Sequence, residues 1–279
     1  MQTESKIDLE QIVKMKLPPL PGSVMRISEL LQDVNVSQHK ITEAISYDPM
    51  LAARILRLAN SPIYAFQQNV TSLSTAVTAL GNKPIYEMLL MGMVADSFGH
   101  EIRNSAIGRD IWLHALAVGF ASRELCALLG MRGTEEAFSC GLLHDIGSLL
   151  LYKANALLYI EIFNKNQRDN LSPLEKVAFG FDHAQVGAVA ANRWNLSDPV
   201  CMTILHHHNP TESSQAVFLT RIINVADNLS YLKNQKLPLS EDFINSFPVM
   251  SLGFKAEQLE TVWEKVVENL REAVKTFFR

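Results

Sequence analysis

Cysteine is scarce in this chain of 279 residues, and basic residues form no cluster. Its three cysteines, Cys126, Cys140 and Cys201, are widely spaced and include no C-x-x-C pair, so we expect reduced, buried thiols in a reducing compartment. The formal net charge of −4 and the lack of a basic block argue against a nucleic-acid-binding protein. An apolar fraction of 48% and a charged fraction of 19% are ordinary for a folded globular protein.

A signal-peptide pattern and a long uncharged apolar run are also missing. A membrane span needs about 20 residues with few or no charges. The most apolar stretches, residues 111–131 and 140–152, are both interrupted by histidine and charged residues. We therefore expect a cytoplasmic protein that does not insert into a membrane.

The alternation of apolar and polar residues that is typical of β-strands is absent, whereas helical spacing runs through most of the chain. This pattern predicts an all-α fold. Ser172 followed by Glu175 predicts a helix start with a capping box, and Asp182 predicts the cap of the next helix. Residues 135–152 are predicted to form one continuous helix.

A polar, glycine-containing stretch, residues 98–108, separates two regions of helical pattern. We place a lobe boundary there and predict an N-terminal helical lobe, residues 1–104, followed by a second helical domain, residues 105–279. A chain of this length is long enough for each region to bury an apolar core.

Six of the eight histidines lie on, or at the end of, predicted helices in the second region: His114, His144, His183, His206, His207 and His208. The pair His144-Asp145 stands among apolar residues, and such a desolvated pair costs free energy unless something compensates. A bound divalent cation is one compensation, and a hydrogen-bonded core pair is the other. The flanking Gly141 and Gly147 would let neighbouring backbone approach closely.

Other polar residues stand on predicted helices at positions that could face the same site. Asp110 and His114 are four residues apart and share one helix face. His183 follows a cap and lies four residues before Gly187, and Asp227 is a carboxylate in an otherwise apolar stretch. Each of these residues, taken alone, is more often structural or solvent-exposed than a ligand.

Three consecutive histidines end a predicted helix. Consecutive helical residues point about 100° apart, so at most two of the three can face one site. We expect His206 and His207 to face it and His208 to point outward or to satisfy terminal carbonyl groups.

The order of these residues along the chain resembles the HD superfamily of metal-dependent phosphohydrolases. The resemblance implies that one metal ion is held by His114, His144, Asp145 and Asp227. It also implies that a second metal ion is held with the help of His183, His206 and His207, and Asp110 is a possible extra ligand. The implied cofactors are one or two divalent ions of iron, manganese, zinc or magnesium.

Further motifs resemble the HDOD subfamily: residues 17–21 (LPPLP), 46–51 (SYDPML), 55–61 (ILRLANS), 76–81 (AVTALG), 143–147 (LHDIG) and 206–210 (HHHNP). The resemblance extends from about Leu17 to about Asp227. It implies an N-terminal helical lobe packed on an HD-type helical bundle, and a role in signal transduction with a protein partner.

Two departures bear on catalysis. Many catalytic relatives have a lysine where this chain has Ser148, which offers a neutral hydroxyl group instead of a positive charge for a phosphate. Relatives that cleave cyclic di-GMP have a Gly-Tyr-Pro motif where this chain has residues 209–214 (NPTESS), which argues against that substrate.

Two functions from different classes therefore stay open. The favoured one is a signalling module with a metal-competent site. The alternative is a phosphohydrolase acting on a phosphoester or nucleotide, in which His144 and Asp145 take part in catalysis and Asp145 bridges the metal ions. Nucleic-acid binding is the weakest hypothesis.

Overall fold

The computed structural model describes residues 9–18, 22–33, 35–61, 64, 69–164, 171–214 and 216–277. These residues form eighteen α-helices and no β-strand, which confirms the predicted all-α fold. The first nine helices are α1 (Leu9–Lys16), α2 (Gly22–Gln32), α3 (Gln38–Ser46), α4 (Pro49–Ala59), α5 (Leu73–Leu80), α6 (Asn82–Ser97), α7 (Gly99–Asn104), α8 (Ala106–Leu128) and α9 (Thr134–Leu143).

The other nine helices are α10 (Ile146–Ala154), α11 (Ala156–Asn164), α12 (Leu171–Phe179), α13 (His183–Arg193), α14 (Asp198–His206), α15 (Val217–Asn234), α16 (Glu241–Ile244), α17 (Phe247–Leu252) and α18 (Ala256–Phe277). Helices α7, α16 and α17 lie where the sequence pattern predicts none.

The chain divides into two compact units. The larger unit comprises Met1–Pro18 and His100–Glu264, and the smaller unit comprises Pro19–Gly99 and Lys265–Arg279. This division differs from the predicted one, residues 1–104 and 105–279, at both ends. Helix α1 packs on α10 and α13, and the last part of α18 groups with the N-terminal helices.

The larger unit is built around α8. Helices α9 and α15 pack against α8, α10 packs on α13, and α13 packs on α14. By length and composition alone α8 could cross a membrane, in contrast to our expectation for residues 111–131. However, 67% of its most apolar window is buried inside the protein, as in the core helix of a soluble domain.

In the smaller unit, α2 packs on α3 and α6, and α5 packs on α3, α4 and α6. The Asn60 side chain, at the end of α4, forms two hydrogen bonds with the backbone of Val70. Its Oδ1 accepts from Val70 N and its Nδ2 donates to Val70 O, both at 2.8 Å. Arg57 donates to the carbonyl oxygen of Thr276 at 2.6 Å, and the Arg54 guanidinium lies 5.0 Å from the centre of the Phe277 ring. These two contacts explain why the end of α18 belongs to this unit.

The predicted helix over residues 135–152 is broken at His144 and Asp145, where α9 ends and α10 begins. Just after the break, Gly147 of α10 sits directly on α13. A Cβ atom on Gly147 would lie 2.0 Å from the carbonyl oxygen of His183. Gly141 also packs closely on α8, where an added Cβ would lie 2.7 Å from the carbonyl oxygen of Val118. Both glycines thus allow the close backbone approach that we expected of them.

Candidate metal centre

Five segments of the larger unit bring histidine and aspartate side chains together. They are α8, the break between α9 and α10, the first turn of α13, the end of α14 and the middle of α15. In that order they contribute His114, then His144 and Asp145, then His183, then His207 and His208, and finally Asp227. The ligand atoms form two groups, and within each group they lie within 4.8 Å of one another.

The first group consists of His114, His144 and Asp227. His114 Nε2 lies 2.9 Å from Asp227 Oδ1, and His144 Nε2 lies 3.5 Å from the same oxygen. The second group consists of Asp145, His183, His207 and His208. In it, the Nε2 atoms of His183 and His208 are 2.8 Å apart.

Asp145 belongs to the second group and also faces His144 of the first group. Its Oδ2 is 3.4 Å from His144 Nε2, whereas its Oδ1 is 3.4 Å from His183 Nε2 and 3.7 Å from His207 Nε2. Asp145 Oδ1 and His207 Nε2 are buried and form no hydrogen bond within the described part of the chain. Buried polar atoms in this state are costly, and a cation among them would satisfy both. The donor set therefore fits divalent metal ions.

Several histidine rings are oriented by a hydrogen bond at Nδ1, the ring nitrogen that faces away from the site. Three Nδ1 atoms are held in this way: His114 by Ser230 Oγ at 3.1 Å, His144 by the carbonyl oxygen of Gly141 at 2.7 Å, and His207 by the carbonyl oxygen of Ile204 at 2.6 Å. Such contacts fix the ring direction and leave the other nitrogen for a metal ion. All three histidines thus present Nε2 to the site.

The fourth ring is held by a carboxylate. Glu175 is fully buried, and its Oε2 accepts from His183 Nδ1 at 2.6 Å and from the backbone N–H of His183 at 2.8 Å. Its Oε1 accepts from the Tyr159 hydroxyl at 3.2 Å. This role is hidden in the sequence, because Glu175 stands at capping-box spacing after Ser172. That capping-box prediction is wrong: α12 begins at Leu171, and Ser172 Oγ donates to Asp182 Oδ2 at 2.6 Å.

The predicted cap at Asp182 is confirmed. Its side chain accepts from Gln185 N at 2.9 Å, and the Gln185 side chain accepts from the backbone N–H of Asp182 at 3.1 Å, which forms a capping box. Lys176 Nζ lies 2.9 Å from the Asp182 carboxylate. The cap fixes the start of α13 and therefore the position of His183, its first residue.

The electrostatics of the site follow from burial and from close opposite charges. Burial alone would raise the pKa of Asp145. The electrostatic attraction of His144 and His183 outweighs burial and holds this pKa well below its usual value. Burial lowers the pKa of His183, but the carboxylates of Glu175 and Asp145 outweigh it and raise that pKa to about 9. Burial and the neighbouring His208 keep the pKa of His207 well below its usual value. His207 is therefore neutral, the state in which imidazole binds a metal.

Two predicted site residues lie outside both groups. His206 Nδ1 is 3.9 Å from Glu212 Oε2, and Asp110 is exposed on α8. We expected His206 to face the site and His208 to point outward, whereas in the structure His208 joins the second group. Steps of about 100° place His206 and His208 on either side of His207, so helical periodicity does not decide between them.

Comparison with known proteins agrees with this architecture. The family model of the HDOD domain matches residues 17–210. An uncharacterized protein of Treponema pallidum (strain Nichols) is 28% identical over 199 residues, which are 69% of this chain and 38% of that protein. The chain thus spans less than two fifths of this relative's length.

Two solved structures share the fold. An HDOD domain protein of unknown function from Geobacter sulfurreducens has a TM-score of 0.77 at 22% identity, covering 96% of this chain and 99% of that one. A proposed phosphohydrolase from Shewanella amazonensis SB2B has a TM-score of 0.72 at 24% identity, covering 96% and 97%. Because the family model matches more than half of the sequence, the chain belongs to the HDOD family.

Proposed function

We propose that this HDOD chain is a signal-transduction module whose histidine/aspartate site binds two divalent metal ions. The observation that carries the proposal is the position of Asp145, whose two oxygens face two separate groups of histidines. Asp145 would bridge the ions. The remaining ligands would be His114, His144 and Asp227 at the first subsite, and His183, His207 and His208 at the second.

The ligand chemistry narrows the choice of metal. Imidazole nitrogen predominates in both subsites, and each also contains carboxylate oxygen. Iron, manganese and zinc accept such mixed ligands, whereas magnesium prefers an oxygen shell. We therefore propose iron, manganese or zinc and rank magnesium last.

Metal analysis of the purified chain tests this proposal. The protein is produced without a polyhistidine tag or chelator, and bound metal is measured by mass spectrometry. Two equivalents are expected in the wild type, and His144→Ala and His207→Ala should each lose metal. His206→Ala is the matched control, because it removes the adjacent histidine that belongs to neither group. A wild type that is empty and takes up no added iron, manganese or zinc would contradict the proposal.

The signalling role rests on family membership and on the buried Ser148, which replaces the lysine of many catalytic relatives. The proposal includes a cytoplasmic location and a protein partner. Crosslinking and pull-down from the native cell, with wild type beside His144→Ala, test it. A partner that is recovered only with the metal-loaded wild type is expected. Recovery of no specific partner, together with strong phosphoester hydrolysis, would count against this role.

Phosphohydrolase activity is the second candidate. It is favoured by the access of solvent to the site, since the side chains of Asp145 and His208 are 14% and 34% exposed. Bound metal would supply a water of lowered pKa and polarise a phosphoryl oxygen. A screen of phosphomonoesters, phosphodiesters and nucleotides with added manganese tests the candidate. Turnover that Asp145→Asn abolishes and His206→Ala retains would establish it, and equal rates in wild type and Asp145→Asn would rule it out.

A further inference from the structure

The two proposed subsites differ in charge. The first has two carboxylates among its ligands, Asp227 and the shared Asp145. The second has three imidazoles and Asp145 as its one carboxylate ligand, and Asp227 Oδ2 lies no closer than 4.0 Å from His208 Nδ1. Neutral imidazoles cannot offset the charge of a dication, and an uncompensated charge in a buried site is costly. The second subsite therefore needs negative charge from a residue outside its ligands.

Glu175 is placed to supply that charge. It is fully buried on α12, directly behind the His183 ring, and both of its carboxylate oxygens are fixed. Oε2 accepts from the side chain and the backbone of His183, and Oε1 accepts from Tyr159. Tyr159 is itself fully buried. The Nδ1 partners of His114, His144 and His207 are a hydroxyl group and two carbonyl groups, which are neutral. The Nδ1 atom of His208 lies 4.0 Å from Asp227 Oδ2, beyond hydrogen-bond distance.

We propose that Glu175, held in place by Tyr159, is the positioning residue of the second subsite and sets its metal affinity without touching the metal. The inference rests on the proposed metal binding, and it adds that Glu175 controls the affinity of one of the two subsites for its metal ion. The first subsite holds its metal independently of Glu175, and the second depends on the buried charge behind His183.

A purely structural role is the competing explanation, in which Glu175 only ties α12 to α13. Glu175→Gln separates the two. Glutamine can turn its carbonyl oxygen toward His183 and its amide toward the Tyr159 oxygen, so both links persist while the charge is removed. A structural tie predicts unchanged metal affinity in this variant, and a charge effect predicts weaker binding at one subsite.

The test is calorimetric titration of the chelated full-length chain with manganese chloride, beside metal analysis after dialysis. Wild type is expected to show two binding events. His207→Ala identifies the event that belongs to the second subsite, and Asp227→Asn identifies the other. Glu175→Gln should weaken only the second event, by about 10- to 100-fold, the usual effect of losing such an outer partner. In the His207→Ala background the same substitution should change nothing.

Two further variants keep the test decisive. Tyr159→Phe removes the hydroxyl that holds Glu175 Oε1 and should weaken the second event in the same direction, so it replaces Glu175→Gln if that variant unfolds. Phe179→Leu perturbs a buried ring on the same helix, 6.5 Å from the Tyr159 ring, and should lower thermal stability without changing metal affinity.

The outcomes are distinct. Two unchanged binding events in a folded Glu175→Gln overturn the inference and leave metal binding intact. Equal weakening of both events also overturns it, because the charge then does not act on one subsite. A wild type that binds no manganese, iron or zinc overturns the proposed function, and the inference with it.

Discussion

Glu175 Oε2 lies 2.6 Å from His183 Nδ1, and both side chains are buried. The contact links α12 to the first residue of α13 and turns the His183 Nε2 atom toward Asp145, 3.4 Å away. A single buried carboxylate therefore determines the direction of a ring that faces the centre of the site.

Removal of metal should destabilise the fold. A ligand that binds only the native state stabilises it by about 2.7 kcal/mol at a free concentration of about 100 times Kd. We expect EDTA to lower the Tm of the wild type by several degrees in differential scanning fluorimetry, and added metal to restore it. The double variant His144→Ala/His207→Ala, which loses a ligand at each subsite, should not respond to either treatment. A Tm that is the same with and without EDTA, in protein shown to carry metal, would contradict the expectation.

Gly147→Ala should destabilise the larger unit by about 1–3 kcal/mol, the usual cost of overpacking. The added methyl group would meet the His183 carbonyl oxygen at 2.0 Å and the Gly187 nitrogen at 2.8 Å. Urea denaturation measures the change. Gly22→Ala is the control, because nothing lies within 4 Å of its added Cβ. Equal stability of the two variants would show that α10 and α13 are less tightly packed than described.

Asp182→Ala should cost about 1 kcal/mol, because it removes the side chain that caps α13. Ser197→Ala is a matched control at another helix N-cap, since the Ser197 side chain accepts no capping hydrogen bond. Chemical denaturation of both variants measures the difference. A loss at Ser197 as large as that at Asp182 would mean that the cap is not the cause.

The cysteines should react slowly with thiol reagents in the folded protein. All three are free and buried, and burial raises the pKa of both Cys140 and Cys201. A raised pKa leaves little thiolate, the reactive form, at neutral pH. A colorimetric thiol assay should detect almost no labelling in the native state and three thiols in denaturant. Rapid native labelling of Cys140 would contradict the described core.

The sequence predicted those parts of the fold that local rules determine. Helical spacing and the cap at Asp182 each depend on neighbouring residues only, and both are found in the structure. For residues 135–152 the same local rules gave a wrong prediction, because the apolar pattern of this segment suits a continuous helix. The structure instead has a break at His144 and Asp145, next to a close contact of Gly147 with α13, which lies far away in sequence.

The candidate site shows the same limit. The set of histidines and aspartates was available from their order along the chain, but the choice between His206 and His208 depends on how the end of α14 packs. Glu175 could not be recognised at all, since its spacing after Ser172 matches a common local motif. Its contact with His183 becomes visible only when α12 and α13 are placed together.

His114 and Asp227, whose Nε2 and Oδ1 atoms are 2.9 Å apart, are separated by 113 positions in the chain. Closing so long a loop requires the intervening helices to be in place, since the entropic cost of closure is offset only by their packing. A ribosome must therefore release the whole segment before these two side chains can meet. The first subsite would thus be completed late in folding, and its metal ion would enter a unit in which α8 to α15 are already formed.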